Sequence, residues 1–196
     1  MRIALIAYVF ASLSSFPSTS LAVADSFDQY SAAYRNAYQA TDPSKVGHFR
    51  PGSPEEQKAL SQFSLFFSSL TPDSVRGLLR GVYASDVYFN DTLKEIQGLD
   101  ALEPYLLRSA EAVDSCTVNI LDVASNKGEY YVRWAMHIRF KKFKRGETQT
   151  SIGMTHLRFN QDGKVSFHQD YWDASSNLFE KIPVLGAAIR MVKRRI

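Results

Sequence analysis

The sequence predicts an α+β domain in which helices come first and a sheet of long strands comes last. Three observations carry that expectation. Two helix starts, Ser53-Pro54-Glu55-Glu56 and Thr71-Pro72-Asp73, stand close together, each with a capping hydroxyl, Pro at the first helical position and acid in the first turn. The second half alternates apolar and polar residues in long runs, and Asn126-Lys127-Gly128, Lys144-Arg145-Gly146 and Asn160-Gln161-Asp162-Gly163 punctuate those runs as turns. A chain of 196 residues has room for one domain with a sizeable core and little room for two.

Ahead of the fold stands a leader. Met1-Arg2 gives a positive start, Ile3–Leu13 (IALIAYVFASL) is an apolar run of signal-peptide length, and Ala22-Val23-Ala24 has the small-x-small cleavage pattern. The expectation is cleavage after Ala24 and a periplasmic or secreted protein, with an uncleaved N-terminal anchor as the alternative. No Cys lies near Ala24, which argues against a lipoprotein. The single cysteine, Cys116, reads as a small core residue before it reads as a nucleophile. A formal charge of +3 is too small to argue for a nucleic-acid partner. The 13 Phe and 10 Tyr suit a lined cavity, and they suit a β-rich core better.

Asp25–Pro54 reads as an N-terminal extension. A helix over Ser26–Gln39 is expected from Phe27, Tyr30, Tyr34 and Tyr38 at three- and four-residue spacing, and the Pro- and Gly-bearing remainder reads as a linker. The helix opened by Pro54 would bury Leu60, Phe63, Phe66, Phe67 and Leu70; the next, reaching about Arg80, would bury Val75, Leu78 and Leu79. In VYASDVYFNDTL (Val82–Leu93) a short break at Ser85-Asp86 precedes a strand with Val87, Phe89 and Asp91 on one face and Tyr88 and Asn90 on the other. A carboxylate on an apolar face needs a partner, so Asp91 is either bonded to nearby backbone or a Tyr, or serves a pocket. Ile96-Gln97-Gly98 turns the chain, and Asp100 is expected to cap a helix over Ala101–Val113 carrying Leu102, Tyr105, Leu106 and Ala110.

Strands follow over Thr117–Ala124, Glu129–Phe143 and Thr148–Phe159. The second has an apolar face of Val132, Trp134, Met136, Ile138 and Phe140, and a basic face of Arg133, His137, Arg139 and Lys141. That basic row is solvated, or else faces an anionic ligand or a second subunit. In the third, Gly153, Thr155, Leu157 and Phe159 point inward and Met154, His156 and Arg158 outward. The last strand, in GKVSFHQDYWD (Gly163–Asp173), puts Val165, Phe167, Gln169 and Tyr171 on one side and Ser166, His168, Asp170 and Trp172 on the other. An imidazole, a carboxylate and an indole in one row make a candidate acid–base wall. Asp173 then caps a helix, and Ala174–Ile196 is expected to be helical on both sides of Pro183. Leu178, Phe179 and Ile182 lead into a stripe of Leu185, Ile189, Val192 and Ile196 beside Arg190, Lys193, Arg194 and Arg195. Those cations favour the end of a helix, and equally suit anionic lipid or an acidic partner. No metal-ligand spacing, Gly-rich phosphate loop or GxSxG elbow is present in the sequence, so neither metal nor cofactor is expected.

The segments VYASDVYFNDTLKEIQGLDALEPYL (Val82–Leu106), Trp134-Ala135-Met136, GMTHLRFNQDGKVSFHQDYWD (Gly153–Asp173) and LFEKIPVLG (Leu178–Gly186) together resemble the bacterial SnoaL-like branch of the nuclear transport factor 2-like superfamily. The resemblance covers about Phe63–Ile196 and sets the expected organisation: leader 1–24, extension 25–54, cone domain 55–196. It implies a cone-like curved sheet, antiparallel or mixed, with packed N-terminal helices and an apolar interior. That interior would hold Phe89, Asp91, Tyr105, Trp134, Met136, His168, Asp170 and Trp172. Matched by position, Asp170 is the first candidate for a catalytic base and Asp91 the second, with His168 tuning or relaying the proton and Tyr83 or Tyr105 donating to an oxyanion. Tyr83, Phe89, Tyr105, Trp134, Met136 and Trp172 are the implied ligand contacts, and a homodimer through the outer sheet face is the implied assembly. An export signal and a long N-terminal segment depart from the family's usual pattern. The fold hosts isomerases, cyclases, epoxide hydrolases, dehydratases and non-enzymatic binders. Two readings therefore stand: acid–base chemistry on a small hydrophobic substrate, or a carrier of an apolar ligand that docks to a partner or membrane.

Overall fold

The computed structural model describes residues 31–142 and 146–196. The expected leader Met1–Ala24, the start of the expected helix at Ser26, and Phe143, Lys144 and Arg145 lie outside the described residues. The chain divides into two compact units, Met1–Arg35 and Asn36–Ile196. Of the first, Ser31–Arg35 are described, at the start of helix α1 (Ala32–Ala40). The second unit holds everything that follows.

A single turn, α2 (Pro43–Val46), opens where the Asp42 carboxylate accepts the Ser44 N–H. Helix α3 (Pro54–Ser68) starts under a Ser53 hydroxyl that accepts from Glu56 N–H, and α4 (Pro72–Val82) starts in a capping box between Thr71 and Ser74. Phe63, Phe66, Val75 and Leu79 are buried as the periodicity requires, but Leu78 is 40% exposed and lies off the packed stripe. Strand β1 (Tyr83–Asn90) follows without a gap. The expected break at Ser85-Asp86 is instead a register shift between Tyr83 and Tyr88 in an unbroken strand. β2 (Glu95–Gln97) folds back on β1, and α5 (Leu99–Glu111) starts two residues earlier than expected. Gly98, at φ 82°, takes the N-cap position, so Asp100 caps nothing and its carboxylate meets Arg80 at 2.9 Å.

The remaining strands are β3 (Val113–Asn126), β4 (Glu129–Phe140), β5 (Gln149–Phe159) and β6 (Val165–Trp172). β3 is longer than Thr117–Ala124. The β3–β4 hairpin closes on Lys127 and Gly128, both at positive φ (49° and 84°), the geometry that a two-residue loop between twisted strands demands. The six strands form one curved, unclosed sheet in the order β2-β1-β6-β5-β4-β3, antiparallel throughout except for the parallel β1–β6 pair. The α+β class and mixed sheet thus stand as the sequence reading has them.

One face assignment changes, and one outward row proves to be buried. Ser166 is the extra residue of a bulge, because Arg158 pairs with Phe167 while Phe159 pairs with Val165. Val165 therefore joins the main core with Phe159, whereas Phe167 stacks on Tyr88 on the opposite face. On β5, His156 and Arg158 do point away from Leu157, yet Arg158 is only 2% exposed. The end of α1 covers them: Arg158 Nη1 donates to Tyr38 O at 2.6 Å, and its guanidinium lies 3.8 Å from the Tyr38 ring centre.

After β6 the chain makes a short helix α6 (Ala174–Asn177), a 3₁₀ turn (Phe179–Lys181) and helix α7 (Pro183–Lys193). The helix expected to run up to Pro183 breaks at Leu178. The Asp173 cap on Ser176 N–H is as expected.

Candidate active site

Strand β6 sets the site. Its period of two aims His168, Asp170 and Trp172 into a cavity of about 330 Å³ between the sheet and helices α3 and α5. Because β1 runs parallel to β6, its C-terminal end arrives at the same place: Phe89 pairs with His168, and Asp91 follows just beyond the strand. Trp172 Nε1 donates to the Asp91 carbonyl at 2.9 Å and ties the two strand ends together. From β5, Thr155 stands opposite Asp170 and Gly153 opposite Trp172. Phe63 and Phe67 of α3 and Tyr105 of α5 close the helical side. Apolar walls with a few converging polar groups are the usual character of a small-molecule site.

The polar groups form two separate arrangements. The first runs Tyr83–His168–Asp170–Thr155–Trp134. Tyr83 Oη lies 2.9 Å from His168 Nδ1, and His168 Nε2 lies 3.1 Å from Asp170 Oδ1. Thr155 Oγ1 donates to the same Oδ1 at 2.5 Å and accepts the Trp134 indole N–H at 2.8 Å. With Asp170 ionised, Nε2 must carry the imidazole proton, so in the neutral ring Nδ1 accepts from the Tyr83 hydroxyl. Burial first, and then the charge of Asp170, push the pKa of Tyr83 well above its ordinary value, which keeps it a donor. Asp170 Oδ1 thus takes two hydrogen bonds, while Oδ2 takes none from any described residue. No fully buried side-chain polar atom among the described residues lacks a partner, so Oδ2 retains access to open space, and Asp170 lines the cavity.

The second arrangement belongs to Asp91, and here both oxygens are engaged. Oδ1 accepts the N–H groups of Leu93 and Lys94 at 3.0 and 2.9 Å, and Oδ2 accepts the Tyr105 hydroxyl. Burial, followed by the Asp91 hydrogen bond and charge, raises the pKa of Tyr105. Asp91 caps the β1–β2 turn as well as facing the cavity.

Of the residues named from the sequence, Phe89, Asp91, Tyr105, Trp134, Met136, His168, Asp170 and Trp172 all line one cavity. Tyr83 does not: it is fully buried behind His168 and reaches the cavity only through that ring. Cys116 lies on the wall as a buried thiol that burial pushes up to about 11, so it is no thiolate near neutrality. Thr155, which holds Asp170, faces inward by strand alternation, a pattern that carries no sign of a site role. Phe63 and Phe67, which pack beside His168, carry only a core signal in the sequence. Among the described residues, no group of three His, Cys, Asp or Glu side chains is placed to hold a metal ion.

A family profile described as SnoaL-like domain matches residues 66–168. No curated protein matches the chain. Among solved structures, an LEH-like epoxide hydrolase of M. tuberculosis aligns with a TM-score of 0.54 at 13% identity, over 72% of this chain and 98% of that one. A proposed SnoaL-like polyketide cyclase from Shewanella denitrificans aligns with a TM-score of 0.54 at 21% identity, over 67% and 98%. A protein of ketosteroid isomerase-like fold from Catenulispora acidiphila, solved with trimethylamine, aligns with a TM-score of 0.53 at 15% identity, over 62% and 89%. At such identities the structures speak for the fold alone, while the family profile spans more than half of the chain. By that match this chain belongs to the SnoaL-like domain family, and its sheet, cavity and helices have the nuclear transport factor 2-like fold of its solved neighbours.

Proposed function

We propose that the protein is an exported small-molecule enzyme in which Asp170 is the general base. The observation that carries the reading is the asymmetry of that carboxylate. Its Oδ1 is fixed by Thr155 and His168, and its Oδ2 is the oxygen left open toward an apolar cavity. A base needs this combination, a locked orientation and one unoccupied lone-pair site near the substrate. Oδ2 would take a proton from an acidic carbon or an attacking water of a bound hydrophobic substrate, and would return it in a later step. Isomerisation, cyclisation and hydrolysis all fit that description. The fold's neighbours, one named an epoxide hydrolase and another a proposed polyketide cyclase, fit with it. Tyr83 and His168 act as positioning residues.

One observation favours the second reading, a carrier. The indole N–H of Trp134, the indole N–H of Trp172 and the hydroxyl of Tyr105 each already donate to protein acceptors. A developing oxyanion would have to displace one of those bonds.

Native mass spectrometry of the purified chain, wild type against Asp170→Asn, separates the readings. An apolar molecule retained and then chemically converted by the wild type, with conversion lost by about 10³-fold in the variant, is the expected result. Retention without conversion in either protein establishes the carrier instead, and conversion that survives in the variant removes Asp170 from the role. The same spectrum tests export, since a processed chain begins at Asp25.

A further inference from the structure

Helix α7 is packed inside out. Its polar side faces the rest of the unit: Gly186 is buried where a Cβ would come within 1.9 Å of the Glu180 carbonyl, so only glycine lets the helix lie this close. Arg190 Nη1 donates to that same carbonyl at 2.8 Å. Lys193 Nζ meets the Glu180 carboxylate at 2.5 Å and Ser176 Oγ at 2.7 Å. With 3.6 residues per turn, Gly186, Arg190 and Lys193 share one side with the half-buried Ile189, which leaves Val184, Leu185, Ala188, Met191 and Val192 on the other. That other side meets solvent. Val184 is 85% exposed, Met191 56% and Val192 58%, and Ile196 beyond the helix is fully exposed.

A helix on a water-soluble surface normally does the reverse. The macrodipole accounts for cations at a helix C-terminus but not for an outward apolar side. Pro183–Ile196 contains four cations and no acid, and Arg194 and Arg195 form no salt bridge with any described residue. Two copies meeting through this face would bring like-charged tails together, which disfavours self-association here. An apolar arc with arginines at its C-terminal end suits a surface that is negative outside and apolar beneath, because long basic side chains reach outward while their stems stay in the apolar layer.

We propose that α7 is an interfacial anchor that seats this protein on an anionic phospholipid bilayer. The helix lies in the plane of the headgroups with Val184, Leu185, Met191 and Val192 inserted and Arg194 and Arg195 among the phosphates. It does not span: no helix among the described residues is long and apolar enough to cross a membrane.

Vesicle co-sedimentation tests this on the chain as its producing cell accumulates it. The probes are vesicles of phosphatidylcholine alone and of phosphatidylcholine with phosphatidylglycerol. Binding to the anionic vesicles, weakened by salt and much weaker on the neutral ones, is expected. Val184→Asp with Met191→Asp should weaken it by at least about tenfold, and Arg194→Glu with Arg195→Glu likewise. Both pairs lie outside the core, and near-UV circular dichroism checks that each variant is folded. Absence of binding overturns the proposal. So does binding unchanged in both variants, which would place it elsewhere, a retained leader included. A wild-type dimer that Val184→Asp with Met191→Asp converts to monomer would assign the apolar face to a second copy and equally overturn it.

Discussion

Gly153 contributes no side chain, and Trp134 occupies the space that a side chain would need. A Cβ at position 153 would lie 2.4 Å from the indole ring, well inside contact distance. The ring can therefore lie across β5 and reach Thr155 Oγ1, which in turn holds Asp170. Gly153→Ala should force the indole away, break that bond and lower stability by about 1–3 kcal/mol, with a shifted tryptophan emission. Urea unfolding with an unchanged midpoint and emission would contradict this account. At this scale the sequence was informative where the period of two is undisturbed. His168, Asp170 and Trp172 fall on one face by alternation alone, and Asp91 beside Phe89 could be read in the same way. The alternation cannot show which residue lies across the ladder, so the link between Trp134, Thr155 and Asp170 was not legible. Nor can it locate the Ser166 bulge, which moves Val165 into the main core.

At the scale of elements, the outer row of β5 shows how a polar pattern misleads. His156 and Arg158 have the composition of a solvated face, and the Pro- and Gly-rich stretch before Pro54 has that of a linker. In the structure Tyr38 and Thr41 cover them, and Glu129 takes a bidentate pair from Arg158, at 2.8 and 2.6 Å, with His156 Nε2 at 2.5 Å. A buried guanidinium demands such partners, but the covering residues stand more than a hundred positions away along the chain. Burial pushes the pKa of the Glu129 carboxyl up, and the hydrogen bonds from His156 and Arg158 outweigh it and hold it at about 2. A carboxyl depressed on folding stabilises the native state above its unfolded value near 4.5, and that contribution drains away as pH falls toward about 2. Glu129→Gln should cost about 3 kcal/mol at neutral pH and flatten the decline in stability over that acid window. Denaturant midpoints measured across the range decide it; parallel declines in the two proteins would refute it. Helix α7 is a second case: the stripe of Leu185, Ile189, Val192 and Ile196 was readable, but the structure splits it, with Ile189 half-buried and the other three exposed.

For the whole molecule, we propose that the outer sheet face is an interface between two copies of the chain. Met154 pairs in register with Tyr171, and Ile152 lies beside them; all three are exposed on that face. Such a patch suits a two-fold contact in which the same residues meet from both copies. Sedimentation velocity should find a dimer that Ile152→Glu converts to monomer, and a wild type that stays monomeric up to high concentration would remove the interface. The class and the strand sequence were legible because helix starts, turns and alternation are local signals, whereas most of the cavity wall came only as what the family resemblance implies. The strand order is not a local signal, and only the structure shows it.

The parallel β1–β6 pair has a consequence for how the protein comes into being. It joins residues some eighty positions apart, as Tyr83 to His168 and Trp172 to Asp91, while every other ladder links neighbours along the chain. Closing so long a loop costs more chain entropy than forming hairpins, and contacts this distant are the slow ones to form. The meander from β3 to β6 can assemble from hairpins between neighbouring strands; the part of the cavity wall that β1 and β6 share has to wait for β6 to find β1. A chain interrupted before Val165 lacks Asp170 and the whole of that seam, so occupancy of the cavity reports on completion of synthesis and folding together.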